Sequence, residues 1–330
     1  MSNLTMQAVR FHEYGGPEVL VLEQAPRPQP QADQVLMRVL AAGVNPVDGS
    51  IRAGLLKQFM PLPMPWIPGL EGVGIVEAVG ENVTAFQPGQ SVFGFVTGGY
   101  AEYAVAAASE VQPKPAHLTF EQAASVPMGS LVAWQAVIEV ANVQAGQRVL
   151  VHGAAGGVGL YAVQLAIWKG ARVIGTVSTP EKASIARGAG ADETINYTKS
   201  DFVQEVKSLT NGTGVRVVYD GVGKETFSRG LDCLAPRGYM VLFGGSSGPV
   251  APLDPPVLSH KGSLYLHRPK LGDFISTRDE LLARSTELLG WVQSGELKVN
   301  VAATFQLCEA PEAHRLLVSR EAAGKILLIP

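Results

Sequence analysis

Three glycines define the chemistry within reach of this chain. Gly153, Gly156 and Gly159 stand in the run Gly153-Ala154-Ala155-Gly156-Gly157-Val158-Gly159, directly after Val149-Leu150-Val151-His152 and before the helix-like stretch Leu160 to Trp168. A turn of this kind lets the backbone approach a pyrophosphate with no Cβ in the way and lets the next helix pack on its strand. Amides at the helix N-terminus then bind the diphosphate. The spacing is a relaxed dinucleotide fingerprint, strengthened by the strand before it, the helix after it and the βα units that follow. Folds that prefer NAD carry an acidic residue about 20 residues further on, for the ribose 2′-OH. Here the second strand runs into Ser178-Thr179-Pro180, with no carboxylate at its tip. Lys182 and Ser178 are placed to meet a 2′-phosphate, which points to NADPH. An ordinary solvated Lys182 fits the residues equally well, and Glu181 would repel the phosphate if it turned inward.

No catalytic triad is evident. His12, His117, His152, His260, His267 and His314 are scattered and read as structural or exposed. Asn45 and Asp48 are the best polar candidates, although Asn45-Pro46 also starts a turn and Asp48 also suits a cap for the helix that follows. Cys233 and Cys308 form no CxxC pair, so no cysteine-rich zinc site is available. Free thiols are the simpler reading, and a single disulfide stays open.

The elements around these residues change character along the chain. Met6–Phe11, Val19–Glu23, Gln34–Ala42, Gly72–Val79, Ser91–Phe95 and Gly99–Val105 read as short strands separated by Gly and Pro. The run Met60-Pro61-Leu62-Pro63-Met64-Pro65-Trp66 cannot be helical and reads as an extended loop, either a lid or a plain connector. From Arg148 onward strands alternate with helices: Arg148–His152, Arg172–Thr176, Glu193–Ile195, Val215–Asp220, Tyr239–Phe243 and Ser263–Leu266, with helices over Val158–Lys169, Glu181–Ala189, Phe202–Leu209 and Glu225–Leu234. This alternation predicts a doubly wound α/β fold, a Rossmann-type parallel sheet covered on both faces. Arg278–Ser294 then reads as a helix and Gly324–Ile329 as a last strand. Both ends of the chain therefore build one domain, residues 1–128 and 269–330, with residues 129–268 inserted as the nucleotide-binding domain.

Composition limits the alternatives. The chain has 330 residues, 46% hydrophobic and 17% charged, which supports two cored domains and argues against disorder. The net charge is −3 with no basic block, so neither nucleic acid nor an anionic membrane is an expected partner. No apolar run reaches the length of a membrane span, about 20 residues. The N-terminal stretch MSNLTMQAVRFHEYGG has no signal-peptide core, and a cytoplasmic location is expected.

Several motifs resemble a known family. Gly43-Val44-Asn45-Pro46-Val47-Asp48, Pro68-Gly69-Leu70-Glu71-Gly72-Val73-Gly74 and Gly98-Gly99-Tyr100-Ala101-Glu102-Tyr103 look like the N-terminal motifs of the medium-chain dehydrogenase/reductases. Ala154–Gly159, Ile195-Asn196-Tyr197, Val218-Tyr219-Asp220 and Gly262-Ser263-Leu264-Tyr265 are similar to the NADPH:quinone oxidoreductase, or zeta-crystallin-like, branch. The resemblance implies a GroES-like, mostly β catalytic domain around the inserted Rossmann domain. It implies NADPH held by Gly156, Gly157 and Val158 at the diphosphate. Ser178, Lys182, Tyr197 and Arg320 would hold the 2′-phosphate, and Phe243, Gly244, Ser246 and Arg268 would lie near the ribose and nicotinamide. Zinc alcohol dehydrogenases place a cysteine where this chain has Asn45 and a histidine where it has Leu70, so no metal is expected. The implied substrate pocket includes Asn45, Asp48, Ser50 and Leu131. Ser50, Ser130-Leu131-Val132 and the loop Leu55–Trp66 depart from the family pattern there.

The expected reaction is NADPH-dependent reduction of a quinone, in which the protein aligns nicotinamide C4 with an electrophilic atom in a dry cleft. An enal or enone reductase is the alternative, with Asn45, Ser50 or Tyr100 polarising the carbonyl. A non-enzymatic, crystallin-like NADPH-binding role is a third. The apolar segment Ser263–Leu266 is expected at a sheet edge without proline or charge to protect it. Relatives pair this strand across a two-fold axis, so a homodimer is expected, and a proline at Leu264 should weaken it by removing a ladder donor.

Overall fold

The computed structural model describes residues 4–330; residues 1–3 of the N-terminal stretch lie outside them. The chain divides into two compact units. The first gathers residues 4–128, 277–282 and 299–330, and the second 129–276 and 283–298.

The first unit is mostly β. Its strands are β1 (Thr5–Arg10), β2 (Val21–Pro26), β3 (Gln34–Val44), β4 (Glu71–Val79), β5 (Ser91–Phe95), β6 (Tyr103–Ala107) and β7 (Val111–Pro113). β1 and β2 form an antiparallel pair, and β3 is the organising strand of a seven-stranded sheet. One side of β3 pairs β4 along most of its length. The other side is shared, with Gln34–Arg38 pairing β6 and Ala42–Val44 pairing a strand from the far end of the chain. The core beneath it includes Phe11, Met37, Val76 and Val92. The expected strand at Gly99–Val105 begins later, at Tyr103, because Gly99 and Tyr100 donate their N–H groups to the Gly69 and Pro68 carbonyls in a turn. Val19 likewise ends a 3-10 turn, and pairing starts only at Val21.

The second unit is a six-stranded parallel sheet of β8 (Arg148–Val151), β9 (Arg172–Val177), β10 (Glu193–Asn196), β11 (Val215–Asp220), β12 (Leu234–Leu242) and β13 (Tyr265–His267). Its order is β10-β9-β8-β11-β12-β13, with a reversal of winding between β8 and β11. Val149, Leu150 and Val151 are all fully buried, as a strand covered on both faces requires. The helices Gly157–Trp168, Pro180–Gly188 and Phe202–Leu209 follow their strands as expected. The helix expected over Glu225–Leu234 is shorter, Phe227–Gly230 with a 3-10 turn Leu231–Cys233, because Leu234 already opens β12. Residues 269–276 and 283–298 also belong to this unit, so the return to the first domain is not at 269. Trp291 packs on Trp168 with ring centroids 4.4 Å apart, and the Lys298 N–H donates to Gln164 Oε1 at 2.7 Å.

The edge strand is shifted by two residues from Ser263–Leu266. Ser263 takes a left-handed φ of 56°, and the buried Leu264 donates its N–H to the Leu258 carbonyl at 3.0 Å. Pairing with β12 begins at Tyr265, which stacks on Tyr239. A proline at Leu264 would therefore break a loop bond and not a ladder bond.

Two late strands complete the first sheet: β14 (Val301–Gln306) and β15 (Lys325–Ile329). β15 lies between β14 and β3, with Ile326 opposite Val44 and Leu327 opposite Gly43. This register carries Lys325 to the level of Asn45. No helix among the described residues is long and apolar enough to cross a membrane.

Candidate active site

The glycine turn follows β8 at the place where the parallel sheet reverses its winding, the usual ligand position in such sheets. Gly153 adopts a left-handed φ of 65°. A Cβ on Gly159 would run into the Gly153 carbonyl, so only glycine permits this approach of helix to turn. Gly156 is the N-cap of the helix Gly157–Trp168 and supplies no side-chain cap, so Gly157 and Val158 begin a helix whose first amides are open to an anion. The turn is tied to β9, since the Gly153 N–H donates to Thr176 Oγ1 at 3.2 Å. His152 is buried beside it, with Nδ1 3.1 Å from Thr176 Oγ1 and its ring edge against Phe202. Burial lowers its pKa.

The neighbouring strand tips bring more of the expected residues together. Ser178 follows β9 and Tyr197 follows β10, where the Tyr197 N–H donates to the Val177 carbonyl at 3.1 Å. Lys182 is the third residue of the helix Pro180–Gly188, its N–H donating to the capping Thr179. Glu181 is exposed and does not turn inward. Hydrogen bonds from its own backbone and from Thr179 hold its carboxyl below the ordinary range. Beyond β12, Phe243 and Gly244 donate their N–H groups to the Asp220 carbonyl, and Ser246 donates to that of Gly221. Asp220 itself is buried and accepts from the Val222 and Gly223 amides, which shapes that loop. Arg268 is exposed just past β13. These residues all lie at carboxyl ends of the parallel strands. Leu131 is buried in the helix Pro127–Trp134 of the same unit. Arg320 belongs to the other unit, where it ends the helix Ala310–Ser319 with a left-handed φ of 59°.

The first unit holds a buried polar cluster of its own. Asn45 is the N-cap of the helix Pro46–Arg52, and Asp48 is its third residue, not its cap. Asp48 Oδ2 accepts the Asn45 backbone N–H at 2.8 Å. The Asn45 side chain donates from Nδ2 to Glu71 Oε1 at 2.8 Å, and its Oδ1 accepts from Lys325 Nζ at 2.6 Å. Lys325 is also ion-paired with Glu71, whose Oε2 accepts the Met128 N–H at 2.7 Å. On the other side, the Tyr100 hydroxyl lies 3.4 Å from Asp48 Oδ2 and 3.1 Å from His314 Nε2. The Ser50 hydroxyl donates to the Pro46 carbonyl at 3.1 Å. Burial pushes Asp48 up to about 7, against the lowering effect of the Asn45 N–H and Lys325. Burial, with Arg52 nearby, pushes His314 down to about 3. Burial and the adjacent Asp48 hold the Tyr100 hydroxyl well above its ordinary value.

Residues 31–116 match the alcohol dehydrogenase GroES-like domain family, and residues 157–279 match the zinc-binding dehydrogenase family. A quinone oxidoreductase of Pseudomonas aeruginosa is 41% identical, over 98% of this chain and 99% of that protein. The chain belongs to the NADPH:quinone oxidoreductase family of medium-chain dehydrogenase/reductases. The crystal structure of the Escherichia coli quinone oxidoreductase complexed with NADPH superposes with a TM-score of 0.93 at 40% identity, covering 98% of this chain and 100% of that one. A 2-haloacrylate reductase from a Burkholderia species is 38% identical over 99% of both chains.

In this quinone oxidoreductase-family chain the residues at the zinc-ligand positions do not fit a metal. Leu70 offers no donor, and the Asn45 oxygen faces the Lys325 ammonium, which would repel a cation. Among the described residues no group of three or more His, Cys, Asp or Glu could hold one. The glycine turn does fit a dinucleotide, since its backbone is bare where a diphosphate would lie. Glu71, Lys325, His314 and Arg52 were not singled out by sequence reasoning. Glu71 stood inside a motif and Lys325 inside an apolar strand, and only the sheet register joins them.

Proposed function

We propose that this chain is an NADPH-dependent reductase of quinones that works without a metal. The observation that carries the reading is the bare glycine turn at the reversal point of the parallel sheet, with Ser178, Lys182 and Tyr197 at the adjoining strand tips. Gly156, Gly157 and Val158 bind the diphosphate through backbone amides. Lys182, Ser178 and Tyr197 hold the 2′-phosphate. Phe243, Gly244, Ser246 and Arg268 hold the ribose and nicotinamide end. Bound NADPH supplies a hydride from C4 of its nicotinamide. The protein aligns the acceptor, excludes water and offers a hydrogen bond to the acceptor oxygen, with Asn45, Asp48 and Ser50 on the substrate side. In this reading the parallel-sheet unit, residues 129–276 and 283–298, is the NADPH-binding domain, and residues 4–128, 277–282 and 299–330 form the catalytic domain.

Reduction of an activated C=C bond is the second reading. It is favoured by the likeness to a 2-haloacrylate reductase and by an amide donor suited to polarising a carbonyl. Steady-state turnover of NADPH with a panel of 1,4-quinones and a panel of enals and acrylates decides between them. Faster turnover of the acrylates would replace the first reading by the second. The same proposal includes a homodimer paired through β13 and a cytoplasmic location. Sedimentation and cell fractionation test these two.

A further inference from the structure

We propose that Lys325 and Glu71 are positioning residues: together they lock the Asn45 side-chain amide in one orientation, so that its remaining N–H donates to the carbonyl oxygen of the acceptor. The proposal rests on the reading of the chain as a reductase of carbonyl-conjugated acceptors.

Elimination identifies the donor. Of the three groups able to polarise a carbonyl, Ser50 gives its only proton to the Pro46 carbonyl, and Tyr100 is sealed between Asp48 and His314. Asn45 has two amide protons, and only one is used, in the bond to Glu71 Oε1. An isolated asparagine can face either way, since its two ends are nearly the same shape. Here each neighbour fixes the same choice. A lysine ammonium can only donate, so it requires Oδ1 on its side. An ionised carboxylate can only accept, so it requires Nδ2 on its side. Lys325 and Glu71 come from strands on opposite sides of β3, and both are almost fully buried. Gly43 makes the room, because a Cβ there would overlap the Glu71 carboxylate and come within 2.7 Å of Lys325 Cε. A buried ion pair is a poor source of net stability and is often replaceable by apolar side chains. The bonds of the pair run to the Asn45 side chain, to each other and to the Met128 N–H. Holding the amide is the role its bonds describe.

The test is a double-mutant cycle on the full-length protein with 1,4-benzoquinone and NADPH. Lys325→Met should lower kcat by about 10–100-fold and leave the KM for NADPH unchanged, and Asn45→Ala should lower kcat at least as far. In the double variant the loss should be no greater than for Asn45→Ala alone, because Lys325 acts only through that amide. Lys325→Arg should recover part of the rate. Independent, multiplying losses would overturn the proposal, as would an unchanged kcat in Lys325→Met. If Lys325→Met fails to fold, the isosteric Glu71→Gln takes its place in the same cycle. If the wild type reduces neither quinones nor enals, the functional reading fails, and orientation is then read without turnover. In free protein labelled with 15N-asparagine, one Asn45 side-chain proton should be shifted downfield and exchange slowly. Glu71→Gln or Lys325→Met should abolish that difference. Identical spectra in the variants would overturn the proposal.

Discussion

The Tyr100 hydroxyl lies 3.1 Å from Nε2 of His314, and the same hydroxyl reaches toward Asp48, so one buried phenol links an acid and a base whose protonation is inverted by burial. Asp48 is raised to about 7 and His314 lowered to about 3. Two consequences for stability oppose each other. From about pH 4 to 7 the folded state holds a proton on Asp48 that the unfolded chain has lost, so this group makes stability fall as pH rises. From about pH 3 to 6.5 the unfolded chain holds a proton on His314 that the folded state refuses, so stability rises with pH. The wild-type contribution of the pair should be nearly flat between pH 4.5 and 6.5. Asp48→Asn should expose the histidine slope alone, with up to about 4 kcal/mol of relative gain by pH 8. Denaturant midpoints across that range provide the measurement, and parallel curves for the two proteins would refute the inverted pair.

Cofactor choice should depend on Lys182. A charge-assisted hydrogen bond is worth roughly 1.5–3 kcal/mol. Lys182→Ala should therefore weaken NADPH binding by about one to two orders of magnitude and barely change NADH, as read by titration calorimetry. Equal losses for both cofactors would remove Lys182 from the 2′-phosphate site.

The glycine turn makes a sharper demand. A Cβ at Gly159 would strike the Gly153 carbonyl, whereas one at Gly188 meets nothing within 4 Å. Gly159→Ala should abolish tight dinucleotide binding and cost several kcal/mol, in line with overpacking or strain of roughly 1–3 kcal/mol or more. Gly188→Ala, in the helix Pro180–Gly188, should be neutral or slightly stabilising. Wild-type NADPH affinity in Gly159→Ala, measured by fluorescence titration, would show that the turn is not the binding element.

Assembly should respond at Leu266, which is 38% exposed on the edge strand beside the stacked Tyr239 and Tyr265. Leu266→Asp should convert a dimer to monomer at micromolar concentration while leaving turnover per chain detectable. A wild type that sediments as a monomer would refute pairing through β13 and leave the cofactor assignment standing.

Much of the parallel sheet was legible because its inner strands β8, β9 and β11 are largely buried and so read as mostly apolar runs alternating with helical stretches. β11 and the helix Phe202–Leu209 match their sequence readings residue for residue. Element ends were less legible where a turn consumes residues of strand-like type, as at Tyr100 and Leu264, whose amides are bonded outside any ladder. Asn45 stood out through its motif. Its partners did not, because Glu71 is 26 positions away and Lys325 is 280 positions away, and their meeting depends on the pairing of β15 and β4 with β3. A lysine beside four apolar residues reads as a strand end, and nothing local marks it as buried.

The placement of β15 between β14 and β3 also orders events during biosynthesis. Residues 129–276 leave the ribosome before residue 325 is made, so the parallel-sheet unit has nearly all its chain while the first unit still lacks a central strand. Until then the Ala42–Val44 edge of β3 is open to other strands, and Glu71 has no ammonium beside it. A nascent chain stalled before residue 325 should therefore be the species most in need of a chaperone, with a competent nucleotide fold attached to an unfinished partner.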